Sequence, residues 1–181
     1  LLSSIGILSS IHPKLEIGDA LLDRLNQFKN LPILATSKLL NLLLSDINAE
    51  NINSICSRLD LSPKTKQILY DIQTIKQSSK SLSGHNILNS ELMMSLDKLD
   101  VESLGCMQII SESKSLRENL SKFLEKLPFI QPKIEPQQII SLGISPGPQI
   151  GVLLADIRFA VADGILKTEA DEQQFILDKI V

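Results

Sequence analysis

The sequence predicts an all-α protein, a multi-helix body followed by a smaller helical tail. Almost every periodic segment repeats its apolar residues at spacings of three and four, the signature of one helix face. No stretch alternates apolar and polar residues for long enough to describe a sheet, and runs rich in β-branched and aromatic residues are missing. The chain of 181 residues is 43% hydrophobic and carries a net charge of −3, so it has enough apolar surface to bury a core against its conformational entropy.

The helices read in order. Ala20 to Phe28 and Ser37 to Leu44 have the helical period, with Asn30-Leu31-Pro32 between them. Ser62 followed by Pro63 is an N-cap and first-position pair, because Pro has no N–H to lose there, and Ile68, Leu69, Ile72 and Ile75 then form a stripe. A helix is expected from about Leu61 to Ser79. Asn89-Ser90 are expected to cap a shorter helix carrying Leu92, Met93, Leu96 and Leu99, and Val101 to Ile110 continues after a break near Asp100. From Ser115, the positions Leu116, Leu120, Phe123, Leu124 and Leu127 repeat until Pro128 stops them. The serine-rich stretch Gln77 to Asn89 and the segment Pro128 to Pro148 are expected to be the flexible connections. We therefore divide the chain into a helical body, residues 1–127, and a helical tail, residues 128–181. No internal repeat is apparent. The chain opens at Leu1 inside an apolar pattern, and a fragment of a longer polypeptide is expected.

Composition excludes several classes. Cys56 and Cys106 stand alone, fifty residues apart, and read as buried small hydrophobes rather than as a disulfide framework or clustered metal ligands. His12 and His85 do not supply a ligand set. The longest purely apolar runs, such as Leu42-Leu43-Leu44, are too short to cross a bilayer, and no secretory signal opens the chain, so a cytoplasmic location with no membrane partner is expected. Charge is uneven: residues 1–90 hold nine Lys and Arg against seven Asp and Glu, and residues 91–181 nine against fourteen. Any nucleic-acid contact must therefore use local patches. The best is Arg58, Lys64, Lys66, Lys76 and Lys80, opposed by Asp60 and Asp71. The alternative reading of that patch is a solvated helix face.

The tail holds the most informative segment, Ile139-Ile140-Ser141-Leu142-Gly143-Ile144-Ser145-Pro146-Gly147-Pro148-Gln149-Ile150-Gly151. Gly147 offers a freely turning backbone, and Pro148 suits a first helical position. A helix should follow, with Ile150, Leu153, Leu154, Ile157, Val161 and Ile165 on one face and Gly164 closing it. Thr168 is expected to cap the last helix, with Asp171 at the capping-box position and Glu169 in the first turn. The loop would aim the N–H groups of Ser145, Gly147 and Gln149 at one spot of partial positive charge, a place suited to phosphate. A tight turn between packed helices uses the same residue types, so both readings stand. It is not a P-loop, since no Gly-Lys-Ser/Thr follows.

These residues resemble a known family. The string Leu142-Gly143-Ile144-Ser145-Pro146-Gly147-Pro148-Gln149-Ile150-Gly151, followed by Leu153-Leu154, Arg158, Ala160, Asp163-Gly164, Thr168 and Glu169, is similar to the C-terminal tail of tRNA nucleotidyltransferases (CCA-adding enzymes) and bacterial poly(A) polymerases. Leu2, Ile5-Gly6-Ile7-Leu8, Ile11-His12-Pro13 and Leu15 are similar to the segment that follows the neck of those enzymes. Asn89-Ser90-Glu91-Leu92 with Leu96, and Pro132 to Ile140, stand in the order of the long-chain members that also carry a phosphoesterase-type domain and paired nucleotide-sensing domains. The resemblance covers most of the chain and is most specific over residues 139–172. In one place it departs: Glu135-Pro136-Gln137-Gln138-Ile139-Ile140 lacks the Gly and the Asp-Leu usual before the loop.

The resemblance implies an RNA-holding arm that grips tRNA by shape and phosphates while a separate N-terminal head does the chemistry with Mg²⁺ and nucleoside triphosphates. The head's adjacent carboxylates are not found: Asp97-Lys98-Leu99-Asp100 has the wrong spacing for a strand pair. No catalytic residue, metal ligand or cofactor is therefore expected in this chain, and no activity from it alone. Lys133, Ser145, Gly147, Gln149, Arg158 and Lys167 in the tail, with Lys64 and Lys66 in the body, are the expected RNA contacts. Arg158 paired to an acid one turn away on its own helix is the alternative for that residue. Expected partners are RNA, tRNA above all, and the rest of the parent polypeptide; a homodimer is left open. The competing reading is a helical protein-interaction or dimerisation module that kept the fold without binding RNA, which the acidic second half favours.

Overall fold

The computed structural model describes residues 36–180, together with His12, Pro13, Asp19 and Asp23. Apart from those four residues, the expected helix Ala20 to Phe28, the break at Asn30-Leu31-Pro32 and the apolar segment Leu2 to Leu15 lie outside the described residues. Among the described residues every regular element is helical: α1 (Thr36–Leu43), α2 (Ala49–Arg58), α3 (Pro63–Gln77), α4 (Ser79–Leu82), α5 (Asn89–Leu96), α6 (Val101–Ile110), α7 (Lys114–Lys126), a 3₁₀ turn (Leu127–Phe129), α8 (Pro136–Ser141), α9 (Pro148–Ala162) and α10 (Glu169–Ile180). No helix there is long and apolar enough to cross a membrane. The described residues form two compact units, one of residues 36–85 and 98–121, the other of residues 86–97 and 122–180.

In the first unit α3 is the central element. The Ser62 side chain accepts the Thr65 N–H at 3.1 Å, and Pro63 opens the helix without wasting a donor. Ile68, Leu69, Ile72 and Ile75 are then buried against α1, α2 and α6, each worth about 1.5–3 kcal/mol of transfer free energy. Helix α2 ends on Asp60 at φ 50°: its N–H donates to the Ser57 carbonyl, and the following Leu61 N–H donates to the Cys56 carbonyl. This is the left-handed stop that glycine usually supplies. The stretch Gln77 to Asn89 is not simply a flexible connection. It contains α4, Leu82 is 1% exposed, and the Asn119 amide donates to the carbonyls of Leu82 and Gly84, so one apolar anchor and one side chain hold it.

The second unit packs Ile134, Ile139, Ile157, Ala160, Leu166 and Ile176 into one core, with Leu142, Ile144, Ile150, Leu153, Leu154, Val161 and Phe175 around it. Here too a predicted connection is structured, since α8 and a 3₁₀ turn lie within Pro128 to Pro148. The end of α9 departs from the expected stripe. Gly164 at φ 74° reverses the chain, with its N–H on the Val161 carbonyl and the Ile165 N–H on the Ala160 carbonyl. Ile165 is thereby thrown outward, 69% exposed, and Leu166 enters the core in its place. The start of α5 also differs from expectation. Asn89 and Ser90 do not cap it; Leu88 is the N-cap residue, and the Ser90 N–H is answered by the Asp163 carboxylate at the end of α9. The Asn89 amide donates to the Ala162 carbonyl, completing the junction of the two helix ends.

Candidate functional site

The residues picked out in the tail fall into three places. The first is the turn into α9. Gly143 ends α8 at φ 101°, where an L side chain would be strained. Gly147 needs no such freedom: at φ 161° and ψ −175° it is extended backbone, and it serves as the N-cap of α9. Residues 145–149 are all exposed. Pro148 brings no N–H, the Ile150 N–H turns back to the Gly147 carbonyl, and the Gln149 side chain donates to the Ser145 carbonyl at 2.6 Å. Ser145 and Gln149 are thus joined, and the Gln149 amide oxygen lies over Gly147, 2.7 Å from where a Cβ would be.

The second place is the start of α10, where Lys133 and Lys167 meet. The Lys133 ammonium donates to the Lys167 carbonyl at 2.7 Å across 34 residues. Thr168 and Asp171 form the expected capping box, with the Asp171 N–H on the Thr168 hydroxyl and the Thr168 N–H on the Asp171 carboxylate. The N–H groups of Lys167 and Thr168, with the Thr168 hydroxyl, hold the Asp171 carboxyl below the usual carboxylate range. One step further, Glu172 is 1% exposed and accepts the N–H groups of Lys133 and Ile134. Gln138 joins the same knot, accepting the Glu135 N–H and donating to Glu169.

The third place is Arg158. Its guanidinium does not pair with an acid on its own helix. It grips Asp97 at the end of α5 with two parallel bonds, Nη1 to Oδ2 at 2.7 Å and Nη2 to Oδ1 at 2.6 Å, while Nε donates to the Ile130 carbonyl at 3.4 Å. Beside it lies an open groove of about 520 Å³ whose lining includes Pro132, Ile134, Pro136, Leu154 and Ala155.

In the first unit, Lys64 lies 3.9 Å from Asp100 and 4.0 Å from Glu102, so its charge is already answered in part. Lys66, half-buried, lies near Cys56 and opposes the upward push that burial gives that thiol. Nothing in the sequence marked Asp97 as the partner of Arg158, 61 residues away. Glu172 left a faint signal: an acid four residues before the buried Ile176 sits on the apolar face of α10. Among the described residues no His, Cys, Asp and Glu side chains gather in threes that could hold a metal ion. The arrangement brings together the exposed lysines Lys133 and Lys167, main-chain N–H groups already answered by Asp171 and Glu172, and an arginine paired to Asp97.

The fold has solved counterparts. The chain is similar to the Thermotoga maritima CCA-adding enzyme complexed with tRNA, at a TM-score of 0.71 and 16% identity, over 99% of this chain and 46% of that one. It is likewise similar to a CCA-adding enzyme in complex with ATP, at a TM-score of 0.70 and 17% identity, over 99% of this chain and 44% of that one. The chain thus spans less than half the length of either. No family model matches it, and no protein of curated function does.

Proposed function

We propose that this chain is the RNA-holding body and tail of a tRNA nucleotidyltransferase or poly(A) polymerase, acting with a catalytic head contributed by the parent polypeptide in the cytoplasm. One observation carries the reading: the whole chain shares its fold with less than half of a CCA-adding enzyme that was solved with tRNA. The tail string around Gly147 supports it separately, since its residues, and not only the fold, resemble the tail of that family.

The proposed contacts are Lys133 and Lys167 at the start of α10, the exposed turn Ser145, Gly147 and Gln149, Arg158 beside its groove, and Lys64 and Lys66 on α3. Their work is positional. Ammonium groups and main-chain N–H donors hold phosphate oxygens, and duplex RNA is read by backbone and 2′-OH contacts rather than by base edges. The chain's six aromatic residues argue against a base-stacking platform. Mg²⁺ and nucleoside triphosphates would belong to the head, and no step of the chemistry is assigned to this chain's residues.

Filter binding of tRNA at two salt concentrations tests the reading. The expected result is weak binding that falls steeply with salt, through release of counterions from the RNA. Absence of binding at low salt would overturn it in favour of a protein-interaction or dimerisation module. The observations on that side are the net charge of −3 and the outward Phe129 and Met94, 79% and 77% exposed.

A further inference from the structure

We propose that Glu172 is a positioning residue for the RNA-holding surface: its buried carboxylate fills the concavity made by two successive main-chain N–H groups and so fixes where Lys133 is presented. The inference rests on the RNA-holding reading above and concerns the same tail surface.

Glu172 is 1% exposed, yet no Lys, Arg or His among the described residues pairs with it. The hydrogen bonds to its two oxygens come from main-chain N–H groups. The Lys133 N–H reaches Oε1 at 3.1 Å and Oε2 at 2.8 Å, and the Ile134 N–H reaches Oε2 at 2.8 Å. Consecutive N–H groups pointing at one spot form an anion-receiving nest, and here the chain fills that nest with its own anion. Burying a carboxylate is costly unless such charge-assisted bonds recover it. A neutral glutamine would escape that cost, but it carries one acceptor oxygen and a donor amide that would face the N–H groups. The carboxylate receives both donors on Oε2 and the Lys133 N–H again on Oε1, so glutamine would keep the two bonds to one oxygen but lose the charge that strengthens them and turn a donor toward the Lys133 N–H.

The consequence is a fixed pair of lysines. Asp171 holds the main chain of Lys167 by accepting its N–H at 3.0 Å, and its neighbour Glu172 holds the main chain of Lys133. The Lys133 ammonium then spends one of its three hydrogens on the Lys167 carbonyl, which leaves two for a phosphate oxygen. Adjacent acids on the first turns of α10 thus set the starting points of two exposed cations 34 residues apart.

The test uses the full chain and tRNA, with Lys133→Ala, Glu172→Gln and the double variant. Amide hydrogen exchange at Lys133 and Ile134 should quicken in Glu172→Gln while core amides of α9 stay protected. Lys133→Ala should weaken tRNA binding about three- to tenfold and reduce the salt slope by about one. Glu172→Gln should lose a similar factor, and the double variant should bind no worse than the weaker single one, because both remove the same contact. A merely structural role for Glu172 would lower stability but multiply with the Lys133 loss. The proposal is overturned if Lys133→Ala weakens binding while Glu172→Gln binds like the parent, or if the two losses multiply. A parent that binds no tRNA, or a Lys133→Ala variant that binds like the parent, overturns the RNA role itself; the exchange result then reports separately whether Glu172 shapes the segment. Should Glu172→Gln fail to fold, Glu172→Asp keeps the charge, withdraws it by one methylene and is read in the same way.

Discussion

Arg158 and Asp97 lie side by side as a bidentate pair, guanidinium on carboxylate at 2.6 and 2.7 Å, joining α9 to the end of α5. Both side chains are about one third exposed or less, 28% and 34%, so the pair is neither fully screened nor fully desolvated. It redefines what Arg158 can do. Three of its donors are engaged within the protein, and a phosphate must compete with Asp97 for the fork.

Arg158→Ala is therefore expected to lower stability by about 1–2 kcal/mol, since it removes a charge-assisted pair and the bond to Ile130. Thermal melting checks this. On the RNA-holding reading it also weakens tRNA binding, whereas Asp97→Asn should raise tRNA affinity about two- to threefold by removing the competing charge, a change of well under 1 kcal/mol. Equal affinity of the Asp97→Asn variant and the parent would show that Arg158 serves only the α5–α9 junction.

Gly147→Val should fold with a melting temperature close to the parent's. The backbone there is extended, and the new side chain meets only the end of Gln149, so the loss is the Gln149 to Ser145 bond, worth about 0.5–1.5 kcal/mol. Its tRNA titration then reports on the turn itself, and weaker binding is expected.

Thr168→Ala removes the hydroxyl that caps α10 and should destabilise the second unit by about 0.5–2 kcal/mol in urea unfolding. Asp171 adds a pH signature. Its folded carboxyl lies below its unfolded value, so its contribution is complete above the ordinary carboxylate range and is lost as pH falls through the lowered folded value. Asp171→Asn should flatten the acid limb of the stability profile.

Cys106 is wholly buried, and burial pushes its thiol up to about 12, with Lys38 opposing and Glu102 and Asp100 assisting. It should resist a thiol reagent in the folded protein and react once unfolded. Since the folded state favours the neutral thiol, this stabilisation is present below the ordinary thiol range and fades as pH rises from there toward about 12. Unfolding midpoints measured in alkaline buffers for the parent and Cys106→Ala give the difference.

Ile72→Ala and Ile157→Ala probe the two cores. Each isoleucine is 0% exposed, so each truncation should cost about 2–5 kcal/mol. Ile72 lies in the core of the first unit and Ile157 in that of the second. Denaturation followed by unit-specific probes should show each loss first in its own unit.

The sequence by itself determined the helical class, the starts of α3, α6 and α10, and the closing of α9 at Gly164, because caps and stripes are local: Ser62, Asp100, Thr168 and the apolar spacings act within four residues of themselves. Only the tertiary structure decided the rest. Asp163 capping α5, Asp97 claiming Arg158, Asn119 holding Leu82, and Glu172 filling the nest at Lys133 and Ile134 all join residues 35 or more apart. A polar side chain carries no mark of the distant main-chain group it will satisfy. That pairing is set when buried donors and acceptors must find partners as the helices close on one another.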